Sequence, residues 1–224
     1  MYKLLKMVTL SEENYLKAIF HLSKQDNQAV STNAIARKME TKASSATDMI
    51  KKLSEKDFVA YQKYRGVKLT NNGRLAAASV IRKHRLWEVF LVDKLHFSWD
   101  EVHDVAEQLE HIKSEKLTQE LDSFLDYPTK DPHGDPIPDS KGKIPSTKKL
   151  LLAKVNQSQS CICVGVKDSS SEFLQYLDKY NIALGTNIDV LSKESYDESM
   201  TVKINNIKRL ISKEVAQNLF VKTI

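Results

Sequence analysis

Metal-ligating side chains recur at helical spacing near the middle of the chain. At about 100° per residue, His103, Glu107, Glu110 and His111 fall within about a 100° arc of one predicted helix. Imidazole and carboxylate donors without thiolate favour Mn²⁺ or Fe²⁺ by geometry, although affinity alone would rank Zn²⁺ and Cu²⁺ higher. The spacing therefore predicts a site for one or two divalent cations.

A second histidine and glutamate lie on the preceding predicted helix. His84 and Glu88 are spaced i,i+4 and could complete the ligand set across a helix–helix contact. Such pairs are also common on helix surfaces. The arc around His111 lies beside the apolar stripe of its helix, so a solvated acidic face is the alternative.

The distribution of charge separates three blocks that the net charge of +5 conceals. Residues 1–73 carry 13 Lys and Arg against 7 Asp and Glu, residues 74–140 carry 8 against 14, and residues 141–224 carry 13 against 8. The acidic middle also holds five of the six histidines. A basic block beside a cation-binding block suits a polyanionic partner such as DNA.

The pattern of residues in the basic block, 1–73, predicts a helix-turn-helix followed by a hairpin. A helix starting with an N-cap-type serine is predicted from residue 11 to about 26, then a short helix over 31–39, a break at 40–42, and a second helix. The outer face of that second helix presents short hydrogen-bonding side chains followed by lysines, which suits base edges and phosphates. Its candidate DNA contacts are Lys42, Ser44, Ser45, Thr47, Asp48 and Lys51.

β-branched and aromatic residues on both sides of Gly66 predict the hairpin, or wing. Lys63, Tyr64 and Arg65 at its turn are candidate contacts to the DNA backbone. The alternative is a solvated helical pair with a hairpin, since exposed lysines are common.

The remaining chain predicts three helices and then a β domain. Helices are expected over 72–95, 98–111 and 114–125, where a dimer interface could form. A segment with four of the five prolines, residues 127–138, ends this helical region. Short alternating runs at 150–155, 161–166, 187–191 and 201–204, with one helix near 171–180, predict a small barrel-like β domain. We expect a DNA-binding domain (1–73), a helical dimerisation and metal-binding domain (74–140), a linker (141–149) and a β domain (150–224).

Composition excludes several classes of protein. No run approaches the roughly 18 to 20 apolar residues of a membrane span, and the first residues lack a secretory signal, so we expect a cytoplasmic location with no membrane partner. Cys161 and Cys163 are too close for a disulfide within one strand, and we interpret them as reduced thiols. P-loop, dinucleotide-binding and nucleophile-elbow motifs are absent, so we expect neither an enzyme nor a small organic substrate.

Five segments in order resemble the diphtheria toxin repressor and manganese transport regulator family of metal-dependent transcriptional repressors. They are residues 13–19, 61–73, 82–86, 102–111 and 132–138. The resemblance covers nearly the whole chain. It implies a mainly α fold with a small β domain: an N-terminal winged helix-turn-helix, a helical dimerisation domain and a C-terminal SH3-like barrel.

The resemblance also implies two metal sites. The primary site would use Asn14, Glu107, Glu110 and His111, and the ancillary site would use His84, Glu88 and His103. Glu172, and with it Asp168, would be the nearest match to ligands from the C-terminal domain. The expected cofactor is Mn²⁺, or else Fe²⁺.

This chain departs from the family pattern at three positions. Glu107 stands where the iron-responsive branch has a cysteine, which resembles the manganese branch. Asn14 stands where the manganese branch has aspartate and the iron branch methionine. Lys17 replaces a glutamate that the manganese branch uses, and its positive charge puts the two-manganese cluster of that branch in question.

The resemblance implies a repressor of metal-uptake genes that binds operator DNA as a homodimer when loaded with metal. A winged-helix regulator that senses a non-metal signal is the first alternative, and its DNA affinity would be indifferent to chelator. A helical di-metal enzyme is the second. Such enzymes repeat Glu-x-x-His on paired helices, whereas here Gln108 stands three residues before His111.

Overall fold

Thr9 starts the first helix of the computed structural model, which describes residues 8–23, 28–146 and 148–224. Its side chain accepts the backbone N–H of Glu12, and the Glu12 carboxylate accepts the backbone N–H of Thr9, so both ends of a capping box are formed. Helix α1 runs over Leu10–Leu22. The predicted N-cap at Ser11 is therefore wrong by two residues, and the predicted end near residue 26 lies outside the described residues.

The predicted helix-turn-helix is present as α2 (Thr32–Lys38) and α3 (Ala43–Glu55). Ser31 caps α2 by accepting the backbone N–H of Ala34. Glu40, in the turn between the helices, has a φ of 50°.

The wing is an antiparallel hairpin of β1 (Val59–Gln62) and β2 (Gly66–Leu69). Val30 exchanges backbone hydrogen bonds with Val67, so an isolated antiparallel β-bridge lies beside the hairpin. Apolar side chains of α1, α2, α3 and the hairpin share one core. Its fully buried members include Leu16, Ile35, Ile50, Leu53 and Val67.

Three helices follow the wing: α4 (Asn71–Leu95), α5 (Val102–Leu109) and α6 (Glu115–Phe124). The predicted bounds of α4 and α6 are correct within one residue. The helix predicted over 98–111 is present but shorter at both ends. Helix α5 begins at Val102 and ends at Leu109, where a turn closed by the Ile112 N–H and the Leu109 carbonyl follows. Among the described residues, no helix is long and apolar enough to cross a membrane.

The chain divides into two compact units, and helices α4 and α5 each contribute residues to both. The first unit comprises the chain to Trp87, Glu107–Phe124 and Pro138–Ile144. The second comprises Glu88–Ala106, Leu125–Ile137 and Pro145–Ile224.

The second unit contains a six-stranded antiparallel sheet in the order β3-β8-β4-β5-β6-β7. Its strands are β3 (Leu150–Leu151), β4 (Ser160–Val166), β5 (Asn187–Lys193), β6 (Met200–Ile204), β7 (Ile207–Ile211) and β8 (Leu219–Thr223). Helix α7 (Ser171–Lys179) is the predicted inserted helix, and α8 (Lys213–Ala216) precedes β8. The predicted strand over 150–155 is wrong after Leu151, because Leu152–Lys154 forms a 3₁₀ turn.

Gly134 and Gly165 allow the proline-rich segment to pack against β4. A Cβ atom on Gly134 would lie 2.2 Å from the Val164 carbonyl oxygen, and Gly134 has a φ of 85°. The Val166 N–H donates to the His133 carbonyl, so this segment is bonded to the sheet. Cys161 and Cys163 are free and buried in the same unit, and burial raises the pKa of Cys161 to about 11, which agrees with reduced thiols.

Candidate metal centre and nucleic-acid interface

Glu110 lies at the centre of a buried charged cluster in the first unit. Its side chain has no exposed surface, and its two oxygens accept hydrogen bonds of 2.9 and 2.7 Å from the Lys17 ammonium group. The same nitrogen lies 2.7 Å from Glu107 Oε1. His84 Nδ1 lies 2.6 Å from Glu110 Oε2. Helix α1, helix α4 and the end of α5 thus each supply a charged or titratable group to one place.

His111 is tied to the same region through a residue that sequence reasoning missed. Its Nδ1 atom lies 2.6 Å from Glu13 Oε2, and its Nε2 atom lies 3.6 Å from Glu110 Oε1. Glu13 and Lys17 are spaced i,i+4 on α1, so they share one helix face. That spacing was a signal that α1 presents more than Asn14 to the metal-binding region.

The donors in this cluster fit a divalent cation. One ligand atom each of His84, Glu107 and Glu110 lie within 4.8 Å of one another. On α1, Asn14 Oδ1 is buried and accepts no hydrogen bond from the described residues. A buried carbonyl oxygen without a donor is costly unless something positive reaches it. Imidazole nitrogen with carboxylate and amide oxygen is a hard donor set that suits Mn²⁺ or Fe²⁺.

Lys83 adds a second buried cation beside this cluster, and its side chain is one residue before His84. Burial lowers the pKa of Lys83, while the negative charges of Glu13 and Glu110 oppose that shift. Two lysines, Lys17 and Lys83, therefore place positive charge near the carboxylates of this cluster.

The predicted ancillary ligands Glu88 and His103 lie together in the second unit. Glu88 Oε1 lies 3.5 Å from His103 Nδ1, and Glu88 Oε2 lies 3.6 Å from His133 Nδ1. His84 belongs to the first unit and precedes Glu88 by four residues on α4.

His133 was not among the predicted ligands, although it faces the predicted ligand Glu88. Burial lowers its pKa, but the hydrogen bond and charge of Glu88 and the charge of Asp131 outweigh burial and raise the pKa to about 9. Candidate ligand atoms of Glu88, Asp131 and His133 also lie within 4.8 Å of one another. The proline-rich segment thus places the His133 imidazole close to the carboxylate of Glu88.

Glu172 is exposed in the first turn of α7. It belongs to none of the candidate metal-ligand clusters that the described residues form. Asp168 accepts the backbone N–H of Ser170 at 2.9 Å just before that helix. A ligand role for Glu172 stays a prediction.

The predicted base-reading face of α3 is at the surface. Lys42, Ser44, Ser45, Asp48 and Lys51 are exposed. The start of α3 has no side-chain cap at Lys42, so its first backbone N–H groups remain available to phosphate. Thr47 is half-buried, and its hydroxyl donates to the Ala43 carbonyl within the helix at 2.8 Å.

The turn of the wing is the most exposed part of the predicted interface. Lys63, Tyr64 and Arg65 are all exposed, and Tyr64 is 94% exposed with a φ of 67°. The Lys63 ammonium lies 5.1 Å from the centroid of the Tyr64 ring. Two cationic side chains and an aromatic ring therefore project from the hairpin tip.

Three family models match consecutive parts of the chain. Residues 7–67 match the iron-dependent repressor N-terminal DNA-binding domain, and residues 70–139 match the iron-dependent repressor metal-binding and dimerisation domain. Residues 150–223 match the FeoA domain. The predicted fold class, with its winged helix, helical dimerisation domain and SH3-like C-terminal domain, is confirmed.

Known proteins resemble the chain over different lengths. It is 33% identical over 126 residues to the iron-dependent repressor IdeR of Mycobacterium leprae, and this match spans 56% of the chain but only 54% of that relative. It is 24% identical over 196 residues to the diphtheria toxin repressor of Corynebacterium diphtheriae, covering 82% of the chain and 85% of that repressor.

A solved structure matches more completely. The structure of a manganese-dependent transcriptional repressor in complex with manganese superposes with a TM-score of 0.86 at 33% identity, covering 95% of this chain and all of that one. The resemblance drawn from the five sequence segments is confirmed. The chain belongs to the iron-dependent repressor family, the family of metal-responsive transcriptional repressors that includes the diphtheria toxin repressor.

Proposed function

We propose that this protein represses metal-uptake genes by binding operator DNA as a homodimer when loaded with Mn²⁺ or Fe²⁺. The observation that carries the proposal is the buried cluster at Glu110. Residues of α1, which packs in the winged-helix core, meet residues at the end of α5 there.

The primary ligands in this proposal are Asn14, Glu107, Glu110 and His111. Mn²⁺ is the preferred ion because Glu107 supplies a hard oxygen donor. The ancillary ligands would be His84, Glu88, His103 and Glu172. When bound, the ion would supply positive charge and directional coordination for the carboxylate and imidazole groups.

The packing of α1 against α3 would connect the metal site to the DNA-binding helix. Leu16 and Ile19 of α1 are fully buried in the same core as Ile50 of α3, so a constraint on α1 is also a constraint on α3. We propose that fixing α1 at Glu110 and His111 favours the orientation in which the two α3 helices of a dimer enter successive major grooves, roughly 34 Å apart.

The proposed function also bears on the domain boundaries and the location of the protein. The domain boundaries stay as predicted, at 1–73, 74–140, 141–149 and 150–224. A repressor acts where the chromosome is, so we propose a cytoplasmic location without a membrane partner or an organic substrate. We propose no enzymatic activity.

Binding to promoter fragments of metal-transport genes, followed by fluorescence anisotropy, tests the proposal. Chelator, Mn²⁺, anaerobic Fe²⁺ and Zn²⁺ are compared in parallel. We expect Mn²⁺ or Fe²⁺ to raise the affinity at least about tenfold, or about 1.4 kcal/mol. DNA affinity that no metal changes would support a regulator of a non-metal signal instead.

Glu107→Ala provides the matching variant. It removes a predicted ligand whose side chain is 37% exposed, and we expect a folded dimer that has lost metal-dependent operator binding. Glu120→Ala, which removes the same charge from an exposed position on α6, is the control and should keep the full response. Unchanged operator affinity of Glu107→Ala with metal present would refute this ligand assignment.

A further inference from the structure

Lys17 places a fixed positive charge on the oxygens that a cation would use. Its ammonium group contacts Glu107 Oε1 and both carboxylate oxygens of Glu110, at 2.7, 2.9 and 2.7 Å. An ammonium group has three N–H donors, and these three oxygens account for all of them. The Lys17 side chain is only 12% exposed, so the contact is part of the interior and not a surface ion pair.

Each carboxylate near this site already has a positive or imidazole partner. Glu110 is paired with Lys17 and His84, Glu107 with Lys17, and Glu13 with His111. A divalent ion that binds Glu107 and Glu110 must share their lone pairs with the Lys17 ammonium or displace it. In both cases the ion meets an adjacent like charge in a region of low dielectric.

We propose that Lys17 is a resident counter-cation that competes with the activating metal and sets the metal concentration at which the protein responds. This inference rests on the proposed function for its biological meaning. In the metal-free chain, Lys17 neutralises the two carboxylates and links α1 to the end of α5. In the metal-loaded chain, its charge opposes the bound ion, so the affinity is lower than with a neutral residue at this position.

Direct titration of the full-length protein with Mn²⁺ in competition with a fluorescent chelator tests the proposal without involving DNA. Lys17→Met keeps an unbranched side chain one atom shorter and removes its charge, and we expect its Mn²⁺ affinity to rise at least about tenfold. Lys17→Arg retains the charge and should stay within about threefold of the wild type.

Lys56 provides a control in a second lysine–glutamate pair at α1. Lys56 follows the last residue of α3, and its ammonium group contacts Oε1 of Glu12 on α1 at 2.7 Å. The Glu12 side chain is buried, with 6% of its surface exposed. Lys56→Met therefore breaks a lysine–glutamate pair at α1 away from Glu107 and Glu110. It should lower the melting temperature of the metal-free protein, as Lys17→Met does, and leave the Mn²⁺ affinity unchanged.

The outcomes separate this inference from the proposed function. Equal or weaker Mn²⁺ binding by Lys17→Met would overturn it, as would an equal gain in affinity by Lys56→Met. If the wild type binds no metal and Lys17→Met binds Mn²⁺, the Lys17 inference is supported and the proposed function is refuted. If neither binds, both fail. Should Lys17→Met not fold, Lys17→Gln retains a hydrogen-bond donor and carries the same expectation.

Discussion

Replacing Glu110 with alanine should destabilise the metal-free protein far more than the same change at Glu107. The Glu110 side chain is fully buried, and its removal leaves the Lys17 ammonium and the His84 ring without their shared partner. Breaking a buried ion pair costs about 3–5 kcal/mol. Because Lys17 keeps its contact with Glu107, we expect a loss near the lower end, about 3 kcal/mol.

The comparison at Glu107 isolates the effect of burial. Its side chain is 37% exposed, and Lys17 keeps its contacts with both Glu110 oxygens when Glu107 is removed. We expect a loss of about 0.5–1 kcal/mol, as for partly exposed ion pairs. The two variants should therefore differ by about 2 kcal/mol in the free energy of unfolding, or roughly 30-fold in the folding equilibrium.

Urea denaturation in the presence of chelator measures this difference. The chain has two tryptophans, and a Trp99→Phe background leaves only Trp87, which belongs to the first unit together with the cluster. The dependence of the unfolding free energy on urea should be the same in all proteins, so that midpoints can be compared. A Glu110→Ala variant no less stable than Glu107→Ala would show that burial does not govern the energetics of this cluster.

Two other predictions concern the wing and the proline-rich segment. Arg65→Ala should weaken DNA binding and reduce the slope of log K against log salt concentration by about 1. Lys208→Ala, which removes an exposed charge on β7, should change neither quantity. An unaltered salt slope for Arg65→Ala would argue against phosphate contact by the wing. Gly134→Ala and Gly185→Ala both place alanine at a positive φ, but only the former brings Cβ into the Val164 carbonyl. Thermal denaturation should show a further loss of about 1–3 kcal/mol for Gly134→Ala, and equal losses would refute the clash.

Local periodicity was sufficient for most of the helices and for the wing. The alternation around Gly66 and the helical spacing of the apolar residues in α3 are properties of adjacent residues, so they are visible without tertiary contacts. Strands β7 and β8 were not predicted. The outward residues Ile207 and Leu210 of β7 are apolar and exposed, which breaks the polar–apolar alternation that identifies a half-buried strand.

The candidate site was predicted from residue spacing and from positions matched to a family, and not from contacts between its side chains. Glu107, Glu110 and His111 were found by spacing on one segment, which the sequence displays directly. The partners Glu13 and Lys17 come from a helix some 90 residues earlier in the chain, with separations of 98 and 93 residues to His111 and Glu110. Pairing over such distances depends on how helices pack, so the role of Lys17 as a partner of both carboxylates emerged only from the fold.

The wing turn and the turn between β6 and β7 both require a residue at positive φ, and they use different residues for it. The turn between β6 and β7 places Asn205 and Asn206 at φ values of 49° and 63°, and asparagine adopts this region at comparatively low cost. The wing places Tyr64 at a φ of 67°, where an aromatic residue costs of order 1–3 kcal/mol. An asparagine at the wing would thus give a more stable fold. Tyr64 therefore lowers the folding stability at the tip of the wing, and at that cost it places an almost fully exposed aromatic ring beside the Lys63 ammonium group.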